Sequence, residues 1–465
     1  MNQQELLRRE IHTALDTVGG RTPDLMPQIN ARLHAPVRRR PLLVVGQLAG
    51  AFAIALVVGT VAISLHQSRV THGPGPVSTS PIAPIAAGPG ANVAWVSNGQ
   101  APGQGDSVTG IDPTGHVVGR INGQVDLRSA DGSLLYALGS GAADVYRAVD
   151  GQKLSTIPLP LLGGQIGQEM LSTDGRYLAV AVGTGVELID LTAGRVAASL
   201  DSGLPSYGTP IVVGPRAQHV YVIGQTVSKL TFNGTTLRVE QNGIKSFSGC
   251  QGLATGGGNT AGGLPFRVLA DGHTLVAFCP GDGRVTWFDL ERMTVVHEVR
   301  VSEKNPFWLS PVFSPDGTAL YLHEGGTGSL HVVDLVHQRI GRSMKVAEAD
   351  HNPLRWLGSL FVTEAYAGGI PRTIAVSPDG AWLYAVSEFG GPGGISLVHV
   401  PDLLVKGRWL PDVTFNSVWV SADGRTVFAQ ASTGNVVRVL RSDGSQIATV
   451  NLPGSAYGFV VPTIP

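Results

Sequence analysis

Seven times between residue 125 and the C-terminus, the chain repeats an apolar strand, a tight turn and a second apolar strand. The turns read Ser-Pro-Asp-Gly or a close variant: Ser129-Ala130-Asp131-Gly132, Ser172-Thr173-Asp174-Gly175, Ser314-Pro315-Asp316-Gly317, Ser377-Pro378-Asp379-Gly380 and Ser421-Ala422-Asp423-Gly424. Ala270-Asp271-Gly272 is a shortened copy at the matching place of another repeat. Glycine supplies the positive φ that a tight turn needs, aspartate accepts bonds from nearby backbone N–H groups, and proline presets φ. These aspartates are therefore expected as turn formers rather than as paired catalytic carboxylates. The same expectation covers Asp190-Leu191, Asp289-Leu290 and Asp334-Leu335, at the ends of third strands.

A unit of roughly 40–45 residues with four short strands is too small to bury its own faces, so copies must stack on one another. That period predicts an all-β chain folded as a β-propeller. Blades are read over 125–159, 168–201, 210–240, 265–301, 310–346, 372–410 and 416–451, the third with Arg216-Ala217 where Asp-Gly is expected. The termini supply an eighth set. Tyr457-Gly458-Phe459-Val460-Val461 reads as a first strand with none to follow, while Asn92–Val96, Asp106–Ile111 and His116–Ile121 read as second, third and fourth strands. Pairing the two ends closes the ring and removes exposed sheet edges. The expectation is eight blades over residues 91–465, or seven if one of the weaker sets is a decorated loop.

A Ser-Pro-Asp-Gly turn before a Leu-Tyr-Val-like strand resembles the repeats of WD40-like and YVTN-type bacterial propellers, and the resemblance spans residues 91–465. It implies the fold and little about activity, because one fold carries lactonases, dehydrogenases, scaffolds and sensors.

The region before the repeats has a different character. Pro41 to Leu65 contains no charged residue and, at about 1.5 Å per residue, is long enough to cross a hydrocarbon core of roughly 30 Å. The competing readings are a buried helix and the apolar part of a cleaved signal peptide. The latter usually runs about 7–15 residues behind a short basic segment, whereas residues 1–40 precede this stretch. A transmembrane helix over 41–65 is the expectation. Arg32, Arg38, Arg39 and Arg40 flank it on one side and Arg69 on the other, which orients the N-terminus to the cytoplasm and the propeller outside. Residues 66–90, rich in Pro and Gly, read as a stalk. Residues 1–40 read as a cytoplasmic helical tail, with helices near 3–18 and 23–35, able to dock a cytoplasmic protein. A short tail, one span and an outer domain resemble the plan of bacterial anti-sigma factors. The zinc-binding members of that family need a His-Cys-Cys cluster, and this tail has no Cys.

The chain offers little catalytic signal. Lys and Arg number 33 against 34 Asp and Glu, so no net field favours nucleic acid. No G-x-S-x-G, H-E-x-x-H or G-x-x-x-x-G-K-[ST] occurs. No cofactor, metal or catalytic residue is assigned. The thirteen histidines lack ligand spacing, and His323-Glu324 and His351 are the most suggestive of them. Two stretches, 243–263 and 347–371, interrupt the repeat, and insertions of this kind map to the faces of a propeller. The second holds Arg355, Trp356, Phe361, Glu364 and Tyr366, a candidate recognition loop; packing over neighbouring blades is the alternative for its aromatics. Cys250 and Cys279 are the only cysteines, and outside the membrane they form a candidate disulfide.

The expected function is a membrane-anchored, extracytoplasmic β-propeller that binds an unknown protein or ligand, with a sensor role if the tail relays binding inward. One alternative is a propeller enzyme, lactonase-like or another hydrolase, with its site in the central channel. Another is an envelope scaffold.

Overall fold

The computed structural model describes residues 86–460 except 100–105, 140, 160–165, 173–174, 183, 202–210, 215–217, 224–225, 246–265, 270, 280–282, 302–308, 325–327, 347–373, 387–392, 433–434 and 455. All described residues belong to the unit Pro76–Pro465. The expected tail helices and the span over 41–65 lie outside them. Among the described residues no helix is long and apolar enough to cross a membrane.

The strands form eight antiparallel sheets of four strands each, which excludes the seven-bladed alternative. From the innermost strand outward, blade 2 is Leu127–Arg128, Leu134–Gly139, Ala142–Arg147 and Lys153–Pro158; blade 3 is Ile166–Leu171, Tyr177–Val182, Gly185–Asp190 and Arg195–Asp201. Blade 4 is Ile211–Val213, His219–Ile223, Thr226–Phe232 and Leu237–Lys245; blade 5 is Phe266–Val268, Thr274–Cys279, Arg284–Asp289 and Thr294–Arg300. Blade 6 is Leu309–Phe313, Ala319–Glu324, Ser329–Asp334 and Arg339–Lys345; blade 7 is Ile374–Val376, Trp382–Val386, Ile395–His399 and Leu404–Trp409. Blade 8 is Phe415–Val420, Thr426–Ala431, Val436–Arg441 and Gln446–Asn451.

Blade 1 is built from both ends of the chain. Its inner strand Ala456–Val460 pairs with Ala94–Asn98, which continues into Ser107–Ile111 and Val117–Asn122. The register sets Trp95 opposite Val460 and Val96 opposite Phe459. The approach to this strand is also fixed. Gly88 N–H donates to Asp131 O at 2.7 Å, and Arg128 Nη2 donates to Gly90 O at 2.6 Å. The end of the expected stalk thus packs on the Asp-Gly turn of blade 2.

The second strands of blades 1, 3, 4, 5, 7 and 8 are buried on both faces or nearly so, so these blades pack against neighbours on both sides. Tyr177–Val182 and Thr426–Ala431 are buried throughout, whereas the outer strands Thr294–Arg300 and Arg339–Lys345 are almost wholly exposed. The core is accordingly a ring of seams. Trp95 and Val108 meet Leu135 and Val125 between blades 1 and 2; Trp287 and Phe278 meet Leu320 and Phe313 between 5 and 6; Trp419 and Phe428 of blade 8 meet Phe459 and Val96 of blade 1.

The turns repeat with equal fidelity. Gly132, Gly175, Gly272, Gly317, Gly380 and Gly424 all take φ between 67° and 76°. In each, the glycine N–H donates three residues back, as Gly317 does to Ser314 O and Gly424 to Ser421 O. The serine hydroxyl accepts from the N–H that starts the next strand: Leu134, Tyr177, Ala319, Trp382 and Thr426. Between third and fourth strands, Asp190 accepts from Thr192 and Ala193, Asp289 from Glu291 and Arg292, and Asp334 from His337. The expected turn role of these aspartates is what the structure shows.

The third-to-fourth turns also need a left-handed residue just before the outer strand. Gly194 fills the place in blade 3 (φ 62°), but Met293, Gln338 and Leu403 fill it in blades 5, 6 and 7 (φ 52–55°). A side chain there costs about 1–2 kcal/mol. Replacing the half-buried Gln338 with Gly therefore raises stability by about 1 kcal/mol, once the extra entropy of glycine is subtracted. Gly317→Ala lowers it by about 1–2 kcal/mol, since its Cβ meets only ordinary contact with Arg267 and the cost is conformational. Urea unfolding of the three chains checks both signs.

Candidate functional site

The turns that close the first hairpins of blades 7 and 8 frame a cleft of about 450 Å³. Its walls carry Trp382, Tyr384, Leu397 and Trp409 from blade 7, and its rim carries Asp379, Asp423 and Asp443. Asp379 and Asp423 belong to the Asp-Gly turns; Asp443 sits in the third-to-fourth turn of blade 8. Each spends one oxygen on its own turn. Asp379 Oδ1 accepts from Ser377 Oγ and Ala381 N–H, Asp423 Oδ1 from Ser421 Oγ and Arg425 N–H, and Asp443 Oδ1 from Ser445 N–H and Oγ. The Ser377 hydroxyl and then the Ala381 N–H hold the Asp379 carboxyl below its ordinary pKa; Ser445 does the same for Asp443.

The aromatic walls form a connected set. Tyr384 and Trp409 lie with ring centroids 5.5 Å apart, and Trp382 lies 5.0 Å from His399. Gly444 lies so close to the Trp409 indole that any side chain there would overlap it. Burial raises the Tyr384 hydroxyl to about 12, helped by the charge of Asp379. At equivalent seams, tryptophan is used differently. Trp95 and Trp287 are fully buried, and their indole N–H groups donate to Ala148 O and Leu335 O of the next blade. Trp382 and Trp409 are only half-buried, and neither indole N–H has a hydrogen bond among the described residues. The seam between blades 7 and 8 is thus partly open at Trp382 and Trp409, whereas Trp95 and Trp287 are sealed within theirs.

Ionisable groups also gather toward the inner strands. Arg128 is fully buried; it reaches Gly90 O, and its guanidinium lies 5.4 Å over the Trp419 ring. Arg267 donates to Ser314 O and lies 5.9 Å over Phe313. Burial lowers the two guanidinium groups to about 9 and about 10, so both stay charged near neutrality and act as fasteners between blades. His323, on the second strand of blade 6 opposite Ser310, is buried and lowered by that burial to about 4. Asp126 precedes the inner strand of blade 2; it accepts from Leu138 N–H at 2.6 Å and Gln124 Nε2 at 2.8 Å. Glu169 pairs across from Val180, a residue that packs on blade 2. Burial raises Asp126 from 3.8 to about 7 against those two hydrogen bonds. Burial, and then the charge of Asp126, raises Glu169 well above its ordinary value. Among the described residues no group of three or more His, Cys, Asp or Glu is placed to hold a metal ion.

Arg355, Trp356, Phe361, Glu364 and Tyr366 lie outside the described residues, as do Cys250 and His351. Cys279 is buried on the second strand of blade 5 and is disulfide-bonded. The cleft residues were hidden in the sequence because Asp379 and Asp423 look like every other turn aspartate. Asp443-Gly444, a second Asp-Gly pair within blade 8, was no clearer a signal, because Asp150-Gly151 and Asp282-Gly283 are second pairs within blades 2 and 5.

This architecture defines an eight-bladed β-propeller. No protein-family model matches the chain, and no curated protein does. Among solved structures it is similar to dihydro-heme d1 dehydrogenase NirN in complex with DHE, with a TM-score of 0.54 and 14% identity over 83% of this chain and 79% of that one. It is also similar to a Bacteroides fragilis protein described as a candidate 6-phosphogluconolactonase (TM-score 0.43, 15% identity, 79% of this chain and 97% of that one). A third is Kuenenia stuttgartiensis hydrazine synthase (TM-score 0.42, 16% identity, 69% and 95%). At these identities the likeness is one of fold.

Raised folded-state pKa values mean that Asp126 and Glu169 favour the folded chain when protonated. Their contribution is full below the ordinary carboxylate range and is lost as pH rises through the raised values, for Asp126 between 3.8 and about 7. Asp126→Asn removes part of this loss. Thermal midpoints measured from about pH 4 to about pH 8 should therefore fall less steeply for the variant; equal slopes would contradict the assignment.

Proposed function

We propose that this chain is a membrane-anchored β-propeller that acts as a binding module, with the cleft between blades 7 and 8 as its ligand site. The observation that carries the reading is the partly open cleft at the edge of this seam. Two half-buried indoles and three turn carboxylates converge on it, and concave sites with aromatic walls and a few placed polar groups are where ligands bind. The Ser-Pro-Asp-Gly repeats support reading the chain as a relative of the WD40-like and YVTN-type bacterial propellers. The uncharged run 41–65 is its anchor, the basic flank holds the N-terminus in the cytoplasm, and the propeller lies outside. A disulfide at Cys279 fits that oxidising side. The tail over 1–40 is the element through which occupancy reaches a cytoplasmic protein.

A second reading, a hydrolase of the lactonase kind, is favoured by one observation. Asp126 and Glu169 form a carboxyl pair in which burial raises both, Asp126 to about 7, the range in which a general acid or base works. In that reading Glu169→Gln abolishes lactone hydrolysis, and cleft variants leave it unchanged.

Two measurements test the first reading. Alkaline phosphatase fused after residue 465 should be active, and fused after residue 40 inactive. Full-length protein screened against a panel of small molecules and oligosaccharides should show saturable indole quenching with at least one member, lost in Trp409→Leu. Silence across the panel, or quenching that survives Trp409→Leu, rules out this cleft.

A further inference from the structure

We propose that the cleft between blades 7 and 8 takes a small organic cation bearing an alkylated ammonium group, an inference that rests on reading the cleft as a binding site. Its lining includes the carboxylates of Asp379, Asp423 and Asp443 and no Lys, Arg or His. Arg441, whose charge acts on Asp443, is exposed and donates to Ser445 Oγ. Each aspartate satisfies its turn through Oδ1, and none has a hydrogen bond or ion pair to Oδ2 among the described residues. The turns therefore hold three carboxylates in place while leaving an acceptor oxygen of each uncommitted.

Ionised carboxylates accept and cannot donate. A neutral sugar needs donors as well as acceptors around its hydroxyls, and the Ser377 hydroxyl is already committed to Asp379. The remaining donors of the lining, the Ser442 and Tyr384 hydroxyls and the two indole N–H groups, would serve a sugar but do not offset the charge of three carboxylates. A cation needs only acceptors and a polarisable wall. Trp382, Tyr384 and Trp409 provide that wall, and an indole or phenol face attracts a cation through its quadrupole. Alkyl groups on the nitrogen match the apolar part of the lining, Leu397 and the ring faces, better than a bare ammonium with its strong hydration. The volume of about 450 Å³ suits a small molecule.

The test uses the full-length chain in a polyoxyethylene detergent, with indole fluorescence as the readout. The probes are choline, its neutral carbon isostere 3,3-dimethylbutan-1-ol, and the neutral disaccharide cellobiose. Choline is expected to bind about tenfold more tightly than the isostere, and more weakly as salt rises. Asp379→Asn and Asp423→Asn keep the Oδ1 acceptor on which each turn depends, so both fold, and unchanged thermal midpoints confirm it. Each lowers choline affinity about threefold, the scale of one half-exposed ion pair; Trp409→Leu removes the signal. Equal binding of choline and the isostere overturns the cation assignment, since shape alone would then be read. Binding of cellobiose without choline overturns it too but leaves the cleft a binding site. No response to any of the three probes overturns the cation assignment, and the panel above then decides the cleft itself.

Discussion

The pairing of Ala456–Val460 with Ala94–Asn98 joins strands from opposite ends of the propeller, and the other seven sheets depend on it. Most second strands are buried on both faces, so a blade lacking one neighbour would expose an apolar face to water. In an open stack the first and last members carry that cost; in a closed ring none does. The closing strand puts Phe459 against Trp419 and Phe428 of blade 8 and Val460 against the seam with blade 2. Arg128 reinforces the same region, holding Gly90 and stacking over Trp419. Its guanidinium is costly to bury, yet its hydrogen bonds and the ring face offset that cost where three blades meet.

The Asp-Gly turns serve two purposes without a change of sequence. At Asp131, Asp271, Asp316, Asp379 and Asp423 one aspartate oxygen binds the turn, and that requirement accounts for the residue at these places. The second oxygen is left over. At most turns it faces solvent or a neighbouring hydroxyl, as with Asp131 and Ser133. Between blades 7 and 8, two such turns and Asp443 face partly open aromatic walls, and the spare oxygens become the polar lining of a concave surface.

The periodic part of the chain was legible because its causes are local. Positive φ at glycine, a serine hydroxyl bonded to the next strand and an apolar run long enough for one strand are written into a few consecutive residues. Even the blade with Arg216-Ala217 in place of Asp-Gly keeps its four strands, since its apolar runs and its neighbours impose them. The left-handed Met293, Gln338 and Leu403 were not legible, because nothing in those residue types announces a positive φ. Tertiary context imposes it where glycine stands in other blades.

By itself the sequence determined the class of fold, the closure between termini and the turn role of the aspartates, since each follows from a period or from bonds between near neighbours; the choice of eight blades over seven came from the sheets. Only the tertiary structure decided that Trp95 and Trp287 are sealed seam fillers while Trp382 and Trp409 line an opening. It alone placed Asp126 beside Glu169. These distinctions depend on what the adjacent blade presents across a seam, and residues that meet there are separated in the chain by a blade or more.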